Sequence, residues 1–212
     1  MVTSEKRAVM ELSTKEKILN TALICFAENG YRGTNLRDFA ARLGMSKSAL
    51  YRHYASKEEI WKALVDQIGK YYNAKVNEIV QGRPVPRGLE EFIRMVMEMV
   101  DFTIRDEQIV LARKVLMAEQ FHDEHARNLA AEYVLAETRR SFAQIFRKMI
   151  GEGLLHRGNP DMMALAFCAP ITQLVHYSDL RPDQKLEIKK EIEEYVHHFL
   201  QVYGNRPEER ED

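Results

Sequence analysis

Residues 34–54 read Thr-Asn-Leu-Arg-Asp-Phe-Ala-Ala-Arg-Leu-Gly-Met-Ser-Lys-Ser-Ala-Leu-Tyr-Arg-His-Tyr and predict two short helices joined by a tight turn at Gly44. Glycine suits such a turn because, without a β-carbon, it adopts left-handed backbone angles at little cost. Ala40 is small enough for the second helix to cross close to the first. The apolar side chains that close the core between the helices are Phe39, Leu43, Met45 and Leu50. This pattern is typical of a helix-turn-helix.

The side chains expected on the outer face of the second helix are polar, cationic or phenolic, and such groups can reach base edges or phosphate oxygens. They are Ser46, Lys47, Ser48, Tyr51 and Arg52. Residues 1–57 carry ten Lys and Arg against five Asp and Glu, whereas the rest of the chain carries 21 against 27. A basic N-terminal segment followed by an acidic remainder of the chain indicates that the N-terminal segment contacts a polyanion. The alternative is a chance imbalance of solvated faces.

Helix signals continue on both sides of this stretch. Capping boxes at Ser13–Glu16 and Ser56–Glu59 predict helices that begin there. The first helix is expected to end at Asn29-Gly30, and the second to run from about 57 to 80. Two prolines within residues 81–88 mark a linker. Apolar spacing beyond it predicts helices over 88–104, 106–120, 123–151, 160–179 and 182–203.

We therefore predict an all-α chain in which a long helix joins an N-terminal three-helix helix-turn-helix domain to a C-terminal helical domain. The predicted divisions are a flexible arm over 1–12, the helix-turn-helix domain over 13–58, the helical domain over 59–204 and a frayed tail over 205–212.

Length and composition exclude several classes of protein. No apolar run of the 212 residues approaches the roughly 18–20 needed for a membrane helix, and no apolar core follows the basic N-terminus as in a secretory signal. Cys25 and Cys168 match no metal spacing and suit a reducing compartment. We expect a cytoplasmic protein without membrane contact, without a cofactor and without catalytic activity.

Four segments, with the spacings between them, resemble the N-terminal domain of TetR-type (TetR/AcrR) transcriptional regulators. They are Phe-Ala-Glu-Asn-Gly-Tyr at 26–31, Gly-Thr-Asn-Leu-Arg-Asp-Phe-Ala at 33–40, Leu-Gly-Met-Ser-Lys-Ser-Ala-Leu-Tyr-Arg-His-Tyr at 43–54 and Ser-Lys-Glu-Glu-Ile at 56–60. The resemblance spans about residues 15–65, and beyond it only the length and the helical pattern are similar. It implies a homodimeric repressor that binds a pseudo-palindromic operator in double-stranded DNA and is released by a ligand.

The resemblance also implies roles for individual residues. Ser46, Lys47 and Ser48 lie where bases are read. Contacts to the DNA backbone are implied for Thr34 at the cap of the second helix, for Tyr51, His53 and Tyr54, and for Lys57 at the start of the long helix, with Arg37 and Arg52 as further contacts. Ser48 stands where glycine is frequent and Tyr54 where phenylalanine is frequent, so base preference could differ.

In such regulators the last two helices form the dimer interface. The predicted helix 160–179 is apolar on nearly every side, and a helix of this kind must be buried all round. We therefore predict a dimer interface made by Met163, Phe167, Ile171, Leu174, Ile188, Ile192, Tyr195 and Phe199. The alternative is that these residues form the core of their own protomer.

The family resemblance further implies an effector pocket in the C-terminal domain. Methionine and aromatic residues there suit a small apolar or aromatic effector, although such residues at helical spacing also occur as ordinary core. The candidates are Met95, Met99, Phe102, Met117, Phe121, Tyr133, Phe167 and His176. Pro170 should kink or split the helix that contains it.

Two alternatives come from other functional classes. Glu119 with His122, and Glu194 with His197, are Glu-x-x-His pairs of the kind that hold two irons in helical bundles. Two such pairs are unremarkable in a chain this rich in glutamate, and the second is predicted to lie off the apolar stripe of its helix. The other alternative is an interaction module that does not bind DNA.

Overall fold

The computed structural model describes residues 13–76, 78 and 84–205, and it confirms the all-α fold. The predicted arm over 1–12 and the end of the predicted tail lie outside these ranges. The chain separates into two compact units between Asp66 and Gln67. The sequence-based boundary at 58/59 falls two turns earlier, within the same helix.

The N-terminal unit consists of α1 (Thr14–Gly33), α2 (Leu36–Arg42), α3 (Lys47–Tyr51) and the first half of α4 (Lys57–Val76). The capping box of α1 is present, since the Ser13 hydroxyl accepts from the Glu16 amide while the Glu16 carboxylate accepts from the Ser13 amide. Gly30, with φ of 69°, interrupts α1 at the predicted end, although helical turns continue to Gly33.

The C-terminal unit contains the end of α4 and the helices α5 (Leu89–Arg105), α6 (Glu107–Glu119), α7 (Glu124–Leu129), α8 (Glu137–Gly151), α9 (Pro160–Leu180) and α10 (Lys185–Tyr203). A π-helical segment, Ala130–Ala136, joins α7 directly to α8. The bounds agree with the predicted helices to within about three residues. Helix α4 is described as far as Val76, and the rest of its predicted length lies outside the described helix.

Helix α9 begins as predicted, with the Asn159 side chain accepting from two backbone amides and Pro160 in the first turn. The helix then continues without a break past Pro170 to Leu180, so of the two predicted effects of Pro170, a kink or a split, the split does not occur. No helix in the described ranges combines the length and the hydropathy that crossing a bilayer requires.

Five phenylalanine rings form the centre of the C-terminal unit. The Phe167 ring lies 4.8 Å from the rings of Phe142 and Phe199, measured between centroids, and 5.4 Å from that of Phe146. Phe92 lies 5.5 Å from Phe167 on a further side. These distances suit the tilted and edge-to-face contacts that aromatic rings prefer.

Six of the eight predicted dimer residues lie inside this core, which supports the alternative that they form the core of their own protomer. Met163, Phe167, Ile171, Ile188, Ile192 and Phe199 are buried in the protomer's own core, and Leu174 and Tyr195 pack against it. Helix α9 instead exposes a second row of apolar and small side chains, which we call the outer stripe. It consists of Met162, Leu165, Ala166, Ala169, Tyr177 and Leu180.

Candidate functional site

The turn between α2 and α3 is built by backbone hydrogen bonds around Gly44. The Gly44 amide donates to the Ala41 carbonyl and the Met45 amide to the Ala40 carbonyl, both at 3.0 Å. This pair of bonds is a Schellman motif, which requires a left-handed residue after the helix. Gly44 has φ of 66°, so the predicted turn is confirmed.

The packing between α2 and α3 leaves one face of α3 open. Phe39, Ala40 and Leu50 are buried, and Leu43 and Met45 are half-buried, as expected for the core of the motif. The residues predicted to face outward are all exposed: Ser46, Lys47, Ser48, Tyr51 and Arg52. The short helix therefore presents its polar side chains to solvent, as a recognition helix must.

Hydrogen bonds and a ring contact order this face. The Ser46 hydroxyl caps α3 by accepting from the Ala49 amide at 3.1 Å, and it lies 2.9 Å from the Ser48 hydroxyl. The Lys47 ammonium lies 5.6 Å from the centre of the Tyr51 ring. The Lys47 ammonium and the hydroxyls of Ser46 and Ser48 therefore form a compact group of hydrogen-bond donors at the start of α3, next to the exposed Tyr51 ring.

Thr34 does not cap α2, which was its predicted position. The cap is Asn35, whose side chain accepts from the Arg37 amide at 2.8 Å. The buried Thr34 hydroxyl lies within hydrogen-bond distance of the Cys25 and Gly30 carbonyls, at 3.1 and 2.8 Å. It therefore connects the end of α1 to the start of α2.

Lys57 points into the N-terminal unit. Its ammonium donates to the Thr34 carbonyl at 2.7 Å and lies 4.6 Å from the centre of the Tyr31 ring. The Tyr31 ring also contacts Trp61, with centroids 5.2 Å apart. Lys57 thus holds α4 against the turn after α1.

The remaining predicted DNA contacts differ in exposure. Arg37 is exposed and His53 is half-buried. Tyr54 is buried, with 6% of its surface exposed, and burial raises the pKa of its hydroxyl. Tyr54 is therefore part of the core of the N-terminal unit.

A cavity of about 90 Å³ lies in the C-terminal unit between α4, α5, α6, α8 and α9. Of the predicted effector residues, Met99, Phe102 and His176 line it. Met95 and Phe167 lie in the core instead, and Met117 and Phe121 are exposed. The side chain of Tyr133 is outside the described part of the structure.

Polar groups around the cavity were missed by the sequence analysis. The Arg113 guanidinium, which lines the cavity, makes two bonds of 2.6 and 2.7 Å to the Asp179 carboxylate, and the Tyr72 hydroxyl lies 3.1 Å from that of Thr138. Arg113 follows Ile109 by four residues and precedes Leu116 by three, so it lies on the apolar stripe of α6. A charged side chain on the apolar stripe of a helix indicates a buried partner of opposite charge, so the sequence did contain a signal for this ion pair.

His176 is the cavity residue with an unsatisfied group. Its Nε2 atom is buried and has no hydrogen-bond partner among the described residues. Burial lowers the pKa of His176 below its ordinary value, and the nearby Arg113 charge acts in the same direction, whereas Asp179 opposes them. The imidazole is therefore neutral at neutral pH.

The two Glu-x-x-His pairs do not form a shared site. Glu194, His197 and His122 are exposed, while Glu119 is buried. Among the described residues, no group of three or more His, Cys, Asp or Glu side chains could hold a metal ion. A di-metal site therefore has no support in this part of the chain.

A capped recognition helix exposed after a glycine turn defines a helix-turn-helix regulatory protein. The family profile "Bacterial regulatory proteins, tetR family" matches residues 18–64, and "AefR-like transcriptional repressor, C-terminal domain" matches residues 90–205. The chain belongs to the TetR family of transcriptional regulators.

Curated relatives match the N-terminal unit. IcaR of Staphylococcus epidermidis, a negative transcriptional regulator of the biofilm operon icaADBC, is 40% identical over 58 residues, which are 27% of this chain and 31% of IcaR. IcaR of Staphylococcus aureus strain Newman is 39% identical over 59 residues, 28% and 32% of the two chains. The chain therefore aligns with less than a third of these relatives' length.

Solved structures match the fold over most of the chain. The SmeT–triclosan complex has a TM-score of 0.69 at 20% identity, covering 92% of this chain and 94% of that one. SmeT, described as the repressor of the Stenotrophomonas maltophilia efflux pump SmeDEF, has a TM-score of 0.66 at 20% identity, covering 92% of each chain. The ketosteroid regulator KstR2 of Mycobacterium tuberculosis has 0.64 at 21%, covering 92% and 96%.

Proposed function

We propose that this protein is a cytoplasmic, homodimeric repressor that binds a pseudo-palindromic DNA operator and is released by a small apolar or aromatic effector. The observation that carries the DNA-binding part is the exposed polar face of α3 in the basic N-terminal segment. Membership of the TetR family supports repression, because both the IcaR relatives and the matched C-terminal profile are described as negative regulators or repressors.

In this proposal α3 enters the major groove. Lys47 and Ser48 read base edges, while Arg37, Tyr51, Arg52 and His53 contact the backbone. The internal bonds of Thr34 and Lys57, and the burial of Tyr54, support a different role for these three residues. They hold the start of α2 and of α4 in place, and so position α3 for docking.

The proposed dimer uses the outer stripe of α9. Its members lie 3, 4, 7, 15 and 18 residues after Met162, which are all close to whole numbers of helical turns, so they share one face of the helix. A row of exposed apolar and small side chains can pack against its own copy about a two-fold axis. Two recognition helices related in this way would read half-sites about 34–36 Å apart, one turn of DNA.

The proposed release couples the cavity to α4. This helix begins in the N-terminal unit and contributes Ile68 and Tyr72 to the cavity wall. An effector that fits the cavity better when α4 is tilted would favour a separation of the recognition helices that does not match the operator. Only such a difference in affinity between two states can shift the equilibrium.

The Lys47→Ala substitution is expected to relax sequence specificity. Duplexes would first be selected from a random-sequence library by the protein, and affinity then measured by fluorescence anisotropy on a selected and a scrambled duplex. Loss of a base contact should weaken binding to the selected duplex by about 1–3 kcal/mol and affect the scrambled duplex less. For both duplexes, affinity should fall as salt rises.

Lys62→Ala provides the matched control, because Lys62 is an exposed lysine on α4 in the same unit. It removes the same charge and should preserve the preference for the selected duplex. An equal loss on both duplexes with Lys47→Ala would contradict the reading role of α3. If the unmodified protein bound no duplex at any salt concentration, the DNA-binding proposal would be wrong.

The Ala169→Arg substitution is expected to separate the subunits. It places a long cation in the middle of the outer stripe with little loss of helix propensity. Light scattering should show twice the protomer mass of 24.7 kDa for the unmodified protein and the protomer mass for the variant. Gln144→Arg, which adds the same side chain at an exposed position of α8, should remain dimeric. A dimeric Ala169→Arg protein would exclude this stripe as the interface.

A further inference from the structure

The cavity of the C-terminal unit has an apolar wall in which the charged group is already paired. Arg113 lies in the wall, with its side chain 6% exposed, and the Asp179 carboxylate accepts from two of its guanidinium nitrogens, Nε and Nη2. A third nitrogen of Arg113 donates to the Thr103 carbonyl at 3.2 Å. The cation is therefore neutralised and its donors are largely used inside the protein.

Three hydroxyl groups of the wall also have partners within the protein. The Tyr72 and Thr138 hydroxyls lie 3.1 Å apart, and the Thr103 hydroxyl donates to the Met99 carbonyl at 2.7 Å. His176 differs, because its Nε2 atom is buried and no other residue that the structure describes forms a hydrogen bond with it. A buried polar atom left without a hydrogen bond is costly, and a ligand that supplied the bond would recover that cost.

We propose that the cavity binds an uncharged, mainly apolar ligand whose single polar group forms a hydrogen bond with Nε2 of His176. The proposal rests on the proposed effector-controlled repressor and names the chemical class that its effector site selects. A hydroxyl is the polar group that fits best, because it donates or accepts and so suits either tautomer of a neutral imidazole.

Charged ligands are excluded by the same contacts. An anion would have to displace Asp179 from Arg113, and a cation would have to take Asp179 away from the same guanidinium. Either exchange leaves a buried charge without its partner, which costs more than the new contact provides. Apart from Arg113, no charged side chain of the described residues lines the cavity.

The volume of the cavity suits a ligand with about one small ring. An apolar cavity of about 150 Å³ binds benzene. The 90 Å³ here is smaller, but Met99 in the wall is unbranched and can move aside. A larger ligand would have to extend beyond the cavity.

Four probes of nearly equal size test the selectivity: benzyl alcohol, toluene, benzylamine and benzoate. Binding to the full chain would be followed at neutral pH by NMR titration, without DNA, observing the methyl group of Met99 in the cavity wall, a signal that the histidine variants retain. Benzyl alcohol should bind about three- to tenfold more tightly than toluene, since one hydrogen bond distinguishes them. Benzylamine and benzoate should bind about tenfold or more weakly than benzyl alcohol.

His176→Leu should reduce the affinity for benzyl alcohol to that for toluene, whereas His198→Leu, at an exposed histidine of α10, should leave both unchanged. His176→Gln retains a hydrogen-bonding amide and should restore part of the preference, which keeps the test valid if His176→Leu folds poorly.

Three results would overturn the proposal: no binding by any probe, benzoate or benzylamine binding as tightly as benzyl alcohol, or an unchanged preference for benzyl alcohol in His176→Leu. Because the titration contains no DNA, its failure is distinct from a failure to bind the operator, which the duplex measurements detect.

Discussion

Replacing Arg113 by alanine is expected to lower the free energy of unfolding by about 3–5 kcal/mol, as for other buried ion pairs that lose one partner. The Asp179 side chain is 10% exposed, so its charge would remain in the interior without the guanidinium that now takes both of its oxygens. Urea denaturation followed by circular dichroism would measure the loss.

Two further variants separate the cost of an unpaired charge from the value of the pair. The double substitution Arg113→Met with Asp179→Leu removes both charges and should recover most of the lost stability. Arg181→Ala breaks an exposed ion pair with Asp183 and should change the free energy of unfolding by no more than about 1 kcal/mol. A similar small effect for Arg113→Ala would show that the Arg113–Asp179 pair is not buried as described.

Replacing Phe167 by alanine is expected to lower the free energy of unfolding by about 3–5 kcal/mol, the usual cost of removing a large buried ring. Phe167 is fully buried and lies between four other phenylalanine rings, so the space cannot collapse without moving all of them. The measurement is again urea denaturation, at one fixed protein concentration because association also contributes to apparent stability.

The same variant tests whether this ring belongs to the core or to a dimer interface. If Phe167 is core, its removal should destabilise the protomer while light scattering still shows the mass of the unmodified protein. Ala169→Arg should show the converse, a reduced mass with a smaller effect on protomer folding. A Phe167→Ala protein that folds as stably as the original but dissociates would restore the interface assignment.

The helices themselves were largely predictable, because the signals that start and stop a helix are local. Ser13 and Asn159 cap their helices as predicted, and Gly44 has the left-handed angle that the turn requires. The outward face of α3 was predictable for the same reason. In so short a motif, apolar residues such as Phe39 and Leu50 must fill the small core, so the polar side chains of α3 can only face solvent.

The roles of individual site residues depended more on tertiary contacts than on local signals. Thr34 and Lys57 were assigned to DNA from their place in the motif, but their partners come from segments 4 to 23 residues away. Three of the predicted effector residues line the cavity. Other predicted effector residues, such as Met95 and Phe121, do not line it, and their spacing did not distinguish them from those that do. Spacing shows which residues share a face of a helix, but not whether that face contacts the core, the cavity or solvent.

The amino-acid sequence alone determined the order of the helices, the turn at Gly44 and the polar face of α3, because capping, glycine angles and short-range periodicity act within a few residues. Only the tertiary structure decided which side of α9 packs inward and that Arg113 meets Asp179, 66 residues along the chain. The sequence of a helix that is apolar on every side does not show which face packs inward. The neighbouring helices decide this, because they cover one face and leave the other exposed.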